Sequence, residues 1–322
     1  MTSPPVRSLH VALGFAAIYL IWGSTYLAIR FAIETIPGFL MAGARWLAAG
    51  LLLAALLWAT GRLARPTRAE LAGASLVGAL LIVGGNGVVV WAQQFVPSGL
   101  AALLVAIAPL WMVLLEWARP RGVAPTLPVA VGLSFGFAGS ALLVTGEGLD
   151  LSAASSVGAL AVVAATMFWA VGTVASKVVP APASPFAAST IQMLAGGGIL
   201  VLAGTATGEW SAVDLEGVSA RSWAAFLFLV FFGSIVALSA YVWLLRHAPV
   251  AKVATYAYVN PVVAVLLGWA LAGEVLSART LAAAAIVLVG VAIVIRFRAP
   301  PELVAEPAGP DNVAIPGKPP GP

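Results

Sequence analysis

Cysteine is absent from this chain, and charged side chains make up only 9% of its 322 residues. The first absence excludes disulfide bonds and thiolate metal sites. The second excludes an ordinary soluble domain, in which roughly a quarter of the residues are charged. Histidine is scarce too, with only His10 and His247, and the chain has neither an HExxH sequence nor a glycine-rich nucleotide-binding loop. We therefore expect no cofactor, no metal site and no direct use of ATP.

Hydrophobic residues are what the chain has in excess, at 61% with a mean hydropathy of +1.04. Crossing a hydrocarbon core of about 30 Å takes about 20 apolar residues in a helix. The sequence has ten such runs and predicts an all-α integral membrane protein with ten transmembrane helices. The runs cover residues 10–31, 39–60, 70–92, 98–117, 126–146, 153–176, 184–206, 222–245, 249–272 and 278–297.

Basic residues lie at alternate ends of these runs and indicate the orientation of the chain. One set of connections and termini contains Arg7, Arg62, Arg65, Arg68, Arg119, Arg121, Lys177, Arg246, Arg296 and Arg298. The other set is acidic, with Glu34, Glu147, Asp150, Glu209, Asp214, Glu216 and Glu274. The positive-inside rule then predicts that both termini are cytoplasmic. Because the basic residues form no continuous patch, the lipid bilayer is the expected partner, and nucleic acid is not, despite a pI near 9.8.

The chain repeats itself. Pro97 and Pro109 match Pro249 and Pro261 at an offset of 152 residues. A second match, at an offset of 147, pairs Trp22 with Trp169, Arg30 with Lys177, Arg45 with Gln192, Leu47 with Leu194 and Gly50 with Gly197. The predicted repeats are residues 10–146 and 153–298, followed by a proline-rich cytoplasmic tail at 299–322 that we expect to be disordered. Because each repeat has five spans, the second enters the membrane from the opposite side, and a central cavity between inverted repeats is predicted.

The two mid-span prolines are candidates for lining that cavity. Pro109 frees the Val105 carbonyl and Pro261 frees the Ala257 carbonyl, because proline has no N–H and crowds the residue four positions earlier. In hydrocarbon a freed carbonyl needs another partner or a water-filled cavity. Kinked fourth and ninth spans around a cavity would satisfy this need. Prolines that only shape helix packing are the alternative.

Polar side chains inside the spans are site candidates because they are costly in lipid. Arg45 could attract an anionic group, extend to the interface or pair with Glu34. Lys252 offers the same anionic contact or an interfacial position. The amides of Asn86 and Asn260 could bind substrate, a neighbouring helix or a freed carbonyl. For Glu116 and Glu274, at span ends, pairing with nearby arginines is the expectation.

Aromatic side chains on different spans could complete the lining. Trp22, Trp91, Trp169 and Tyr258 suit an amphipathic or aromatic small-molecule substrate through stacking and cation–π contacts. Each could equally be a core or lipid-facing residue. The glycines at Gly132 and Gly136, and the cluster Gly196 to Gly198, allow close helix contact within the chain or in a homodimer.

Three segments resemble the repeats of EamA-type drug/metabolite transporters. They are IWGSTYLAIRFAIETIPGFLMAGARWLAAG, NGVVVWAQQFVPSGLAALLVAIAPLWMVLL and VNPVVAVLLGWALAGEVLSARTLAAAAIVLVGVAIVI. The resemblance covers residues 10 to 298. It implies ten helices with cytoplasmic termini, inverted repeats around a cavity, and export of small metabolites such as amino acids from a bacterial inner membrane.

Taken together, these patterns predict a secondary transporter that exports a small amphipathic metabolite by alternating access. A facilitative uniporter of the same fold is the alternative. An integral-membrane enzyme is the reading from another class, and the sequence offers it no nucleophile with a base and no carboxylate pair within a span.

Overall fold

A computed structural model describes residues 8–62, 65–120, 124–145, 153–248, 250–253 and 255–297. Within these ranges the regular structure is entirely helical. The predicted tail at 299–322, and the basic residues Arg7, Arg121 and Arg298, lie outside the described residues.

Ten main helices follow the predicted spans closely. They are α1 Ser8–Ala32, α2 Gly38–Ala59, α3 Arg68–Ala92, α4 Ser98–Trp117, α5 Leu127–Val144, α6 Ala153–Ala175, α7 Pro185–Ala206, α8 at 220–247, α9 Tyr256–Ala272 and α10 Ala278–Phe297. In the part of the chain that the structure describes, nine of these are long and apolar enough to cross a membrane, and α9 is a shorter apolar helix. The predicted ninth span at 249–272 contains a short helical turn, Val250–Val253, ahead of α9.

Left-handed glycines end three of the helices. Gly61 follows α2 with φ of 65°, Gly208 follows α7 with φ of 77°, and Gly273 follows α9 with φ of 66°. Glycine adopts this conformation without a Cβ clash, so the chain can turn sharply as soon as the helix ends. Gly61 and Gly208 are 147 residues apart. The second helix of each repeat therefore ends in the same way.

Wide π-helical turns interrupt α3 and α8 near their middles. The segments are Ala79–Gly87 in α3 and Leu229–Val236 in α8. They begin 150 residues apart, so both repeats carry the same distortion in their third helix. π-Helical turns are rare and occur frequently at functional sites.

The helices α2 and α7 run antiparallel and contact each other reciprocally. A Cβ atom placed on Gly50 would lie 3.0 Å from the Leu194 side chain, and one placed on Gly197 would lie 3.1 Å from the Leu47 side chain. Gly50 and Gly197 match between the repeats, as do Leu47 and Leu194. Such an exchange of equivalent contacts is the signature of a two-fold relation between the two helices.

A second reciprocal contact joins α5 and α10. A Cβ atom placed on Gly139 would lie 2.8 Å from Val287, and one placed on Gly290 would contact the backbone nitrogen of Gly136 and lie 2.9 Å from its Cα. Gly132 and Gly197 also face neighbouring helices of the same chain. Gly132, Gly136, Gly196 and Gly197 therefore serve close packing within the chain, where small residues let helix backbones approach, whereas a Cβ on Gly198 would meet nothing within 4 Å.

The two mid-span prolines have different surroundings. Helix α4 is broken at residues 106–107, and its second half, Ala108–Trp117, carries Pro109 in its first turn. Helix α9 contains Pro261 in its interior and is continuous around it. The interruption near α9 lies earlier, where Thr255 separates α9 from the preceding turn.

Candidate functional site

A buried arginine lies beside the π-helical segment of α8. Arg45, on α2, is 3% exposed, and its Nε donates a hydrogen bond to Ser234 Oγ at 3.2 Å. Ser234 in turn donates to the Leu229 carbonyl at 3.0 Å. The guanidinium carbon lies 4.5 Å from the ring centroid of Trp46. Arg45 therefore neither extends to the interface nor pairs with Glu34, which is bound to Arg221.

Trp46 connects this arginine to the π-helical segment of α3. Its indole N–H donates to Asn86 Oδ1 at 2.9 Å. Asn86 lies in the segment of α3 and Ser234 in that of α8, so α2 links the two distorted turns through neighbouring residues. The cluster formed by Arg45, Trp46, Asn86 and Ser234, which we call the α2 bridge, joins both repeats.

Trp22 of α1 packs against the same segment of α8. Its indole N–H donates to the Gly233 carbonyl at 3.2 Å. Its ring also contacts Tyr241 and Tyr256, each with centroids 5.3 Å away. These three rings come from α1, α8 and α9, and form an aromatic triangle next to the α2 bridge.

Trp169, the repeat mate of Trp22, occupies the equivalent place on the other side. It lies on α6 and packs against Gly85, in the π-helical segment of α3, where a Cβ would approach its ring to 2.9 Å. In each repeat, a tryptophan of the first helix thus contacts a glycine in the third helix of the other repeat. Trp169 is 38% exposed.

The remaining candidates lie away from the α2 bridge. Trp91 and Tyr258 are half-buried and pack against the hydrophobic core around α4. Asn260 is 7% exposed, and its amide nitrogen can donate to the Ile18 and Tyr19 carbonyls of α1, each at 3.3 Å. Pro261 is buried beside it, and Lys252 is exposed in the turn before α9.

The two acidic residues expected to pair with arginines bind a lysine and a helix N-terminus, respectively. Glu116 pairs with Lys177 at 3.3 Å. Glu274 accepts hydrogen bonds from the N–H of Ser98 at 2.6 Å, the Oγ of Ser98 at 2.7 Å and the N–H of Gly99 at 2.9 Å. A carboxylate at a helix N-terminus satisfies unpaired N–H groups and interacts favourably with the helix dipole.

A second carboxylate makes the same kind of contact with α2. Glu209, which follows α7, accepts hydrogen bonds from the N–H groups of Phe39 at 3.1 Å and Leu40 at 2.9 Å. Both acids belong to the second repeat and cap helices of the first. We call the end of the bundle where Glu209 and Glu274 make these contacts the carboxylate face.

Sequence reasoning missed several members of the cluster. Trp46 and Ser234 were not among the candidates, nor were Tyr241 and Tyr256. Two signals pointed to them: Trp46 follows Arg45 directly, and Ser234 lies 148 residues after Asn86, close to the repeat offset. The π-helical turns themselves were not predicted, because the sequence analysis treated α3 and α8 as ordinary apolar spans.

Comparison with known proteins identifies relatives along most of the chain. The family model of the EamA-like transporter family matches twice, over residues 10–145 and 156–296, which supports the duplication. The uncharacterized inner membrane transporter YedA of Escherichia coli is 42% identical over 262 residues, covering 81% of this chain and 82% of YedA. The uncharacterized transporter YvbV of Bacillus subtilis is 26% identical over 287 residues, covering 88% and 91%.

A solved crystal structure also shares the fold. It superposes with a TM-score of 0.60 at 23% identity and covers 89% of this chain and 96% of its own. The double family match and the identity to YedA confirm the resemblance found in the sequence. The chain is a member of the EamA-like transporter family, with two family repeats in one polypeptide.

Proposed function

We propose that this protein is a secondary transporter of the bacterial inner membrane that exports a small amphipathic metabolite by alternating access. Membership of a transporter family supports transport and gives no support to catalysis. The name of YedA as an inner membrane transporter supports the location. In this proposal the shorter helix α9 also crosses the membrane, which makes ten transmembrane helices, and both termini are cytoplasmic.

The reciprocal pairing of α2 with α7 is the observation that carries the proposal. Matching glycines and leucines exchange contacts across two antiparallel helices, as described for Gly50 and Gly197. Two repeats related in this way and threaded oppositely through a bilayer can exchange conformations and open a central cavity to either side in turn. The α2 bridge and the aromatic triangle are the side chains that would face that cavity.

The carboxylate face holds the two repeats together at one end of the bundle. Glu209 and Glu274 tie the second repeat to the first there. At the other end, α7 is capped by its own Ser184, whose Oγ accepts from the N–H of Ala187 at 3.4 Å, and the exposed ion pair of Glu116 with Lys177 joins the two repeats. The basic residues Arg62 and Arg68 lie at that other end, so the positive-inside rule orients the carboxylate face outward.

Metabolite release tests the export function. Cells that overproduce the protein should release at least one metabolite that empty-vector cells retain, as measured by untargeted mass spectrometry of the medium. Replacing Asn86 by Ala, with membrane insertion checked by immunoblot, should reduce this release. Identical media from overproducing and empty-vector cells would contradict the proposal.

Counterflow in proteoliposomes then separates coupled export from facilitated diffusion. For the metabolite so identified, uptake is measured with and without an imposed pH gradient. A response to the gradient is expected for a proton-coupled exporter. Uptake that is equal in both conditions would assign the protein to the facilitative uniporters instead.

A further inference from the structure

The Arg45 guanidinium has more hydrogen-bond donors than partners. Its Nε is used by Ser234, but Nη1 is fully buried and has no hydrogen-bond partner. Within the described residues, no carboxylate lies within ion-pair distance of this side chain. The charge is therefore buried without a counter-ion, about 10 Å of helix rise from the start of α2.

Such an arrangement is costly unless an anion completes it. A buried charge without a partner destabilises a protein, and ionisable groups inside membrane spans mark functional sites. Because Nε of Arg45 already donates to Ser234, only the two Nη groups of the planar guanidinium remain to bind an anion. These two groups can bind a carboxylate with two parallel hydrogen bonds.

The surroundings indicate what kind of anion would fit. The ring of Trp46 lies against the guanidinium, and Gly233 lies close to its Nη2, since a Cβ on this glycine would come within 3.4 Å of that atom and 3.1 Å of the Thr25 side chain. The indole N–H of Trp22 donates a hydrogen bond to the backbone carbonyl of the same glycine. The guanidinium of Arg45 can thus bind the anionic group of a ligand, and the two indole rings can contact its apolar or aromatic part.

We propose that Arg45 is the anchor for a carboxylate of the transported solute, with Trp46 and Trp22 flanking the solute's apolar part. This role presupposes the transport function proposed above and narrows its substrate class to small amphipathic carboxylates. Ser234 acts as a positioning residue, because its bond to Nε holds the guanidinium plane.

Thermal unfolding of the full-length protein tests the proposal with matched probes. The protein is placed in nanodiscs of phosphatidylcholine, and indole-3-acetate and hexanoate are compared with their neutral amides. The carboxylates should raise Tm by a few degrees at saturation, and the amides should not, since they lack the charge that Arg45 requires. Equal shifts from carboxylates and amides, or no shift from either carboxylate, would overturn the proposal.

Variants separate an anchor from a structural role. Arg45→Gln should abolish the carboxylate shift, and Arg45→Lys should weaken it at least tenfold in Kd because the bidentate geometry is lost. Arg221→Gln, at an exposed ion pair with Glu34, should leave the shift intact. Arg45→Gln should also keep or raise the Tm without ligand, since it removes an unpaired buried charge. A lower ligand-free Tm with an unchanged carboxylate response would assign Arg45 to structure alone.

A lipid headgroup is the other source of an anion, and a further experiment distinguishes lipid binding from solute binding. Nanodiscs containing phosphatidylglycerol are compared with phosphatidylcholine alone for the native protein and for Arg45→Gln. An Arg45-dependent rise in Tm from phosphatidylglycerol, without one from the soluble carboxylates, would overturn the proposal in favour of a lipid site. If amides and carboxylates bind equally while metabolite release persists, only the anchor role fails. If release is absent, the transport function itself fails.

Discussion

The Glu274 carboxylate accepts the backbone N–H of Ser98 at 2.6 Å, which joins the end of α9 to the start of α4. Two more donors, the Ser98 hydroxyl and the N–H of Gly99, complete the contact. The acid comes from the second repeat and the helix N-terminus from the first. Separation of the two repeats at the carboxylate face therefore requires these bonds to break.

Glu274→Gln should make the carboxylate face open more readily. Hydrogen bonds to a charged group contribute about 1.5–3 kcal/mol, and about 1.4 kcal/mol corresponds to a tenfold change in an equilibrium. The chain has no cysteine, so Val265→Cys, next to Gly99, introduces a single reporter thiol. We expect its modification by an impermeant maleimide to be roughly tenfold faster with Glu274→Gln.

The matched control for this measurement is Glu216→Gln, at an exposed acid in the connection before α8. It should leave the modification rate of the thiol unchanged. Equal rates with and without Glu274→Gln would show that the contact does not hold the face closed.

Replacing each of two adjacent glycines on α7 by alanine should change the stability of the protein differently. A Cβ on Gly197 would lie 2.9 Å from the backbone nitrogen of Leu47, whereas one on Gly198 would meet nothing within 4 Å. Gly197→Ala should lower the free energy of unfolding by about 1–3 kcal/mol, as overpacking does. Gly198→Ala should be neutral or stabilising. Thermal unfolding in detergent measures both, and equal Tm values would argue against the tight contact of α2 with α7.

The repeat-matched tryptophans also differ in their expected sensitivity. Trp22→Phe loses the hydrogen bond to the Gly233 carbonyl, and Trp169→Phe removes an indole that is partly exposed. A typical hydrogen bond contributes about 1 kcal/mol, so Trp22→Phe should lower the Tm more than Trp169→Phe does. A greater loss for Trp169→Phe would reverse this ranking.

Trp46→Phe tests the α2 bridge. The substitution keeps an aromatic ring next to Arg45 but removes the N–H that Asn86 Oδ1 accepts. We expect metabolite release to fall severalfold with membrane insertion unchanged, because the Asn86 amide is no longer held in place. Trp58→Phe, at a 75% exposed position of the same helix, is the control that should keep full release. Equal release from both variants would place the bond outside the transport mechanism.

Much of the fold could be predicted because the length of the apolar runs and the internal repeat are visible in the sequence. The ungapped match that paired Leu47 with Leu194 and Gly50 with Gly197 became a reciprocal contact between α2 and α7. The site was harder to predict. Arg45 was recognisable as a costly residue, but its bond to Ser234 depends on a π-helical turn, which turns side chains to a new angle without changing composition.

The partners of the acidic residues were also hard to predict from the sequence. Glu274 was assigned to nearby arginines because charge pairing is readable from sequence. Its observed partners are backbone N–H groups, which every residue carries. Only the folded path of the chain reveals which helix end the carboxylate reaches.

The left-handed glycines after α2 and α7 suggest what fusion of the repeats made available. The residues after them differ: Arg62 follows Gly61, and Glu209 follows Gly208. A symmetric dimer of identical halves would have to carry the same residue at both ends of the bundle. In one polypeptide the two positions can diverge. Glu209 binds the start of α2 at one end of the bundle, while Arg62 occupies the matching position at the other end. In the alternating-access cycle proposed above, opening inward and opening outward then need not cost the same energy.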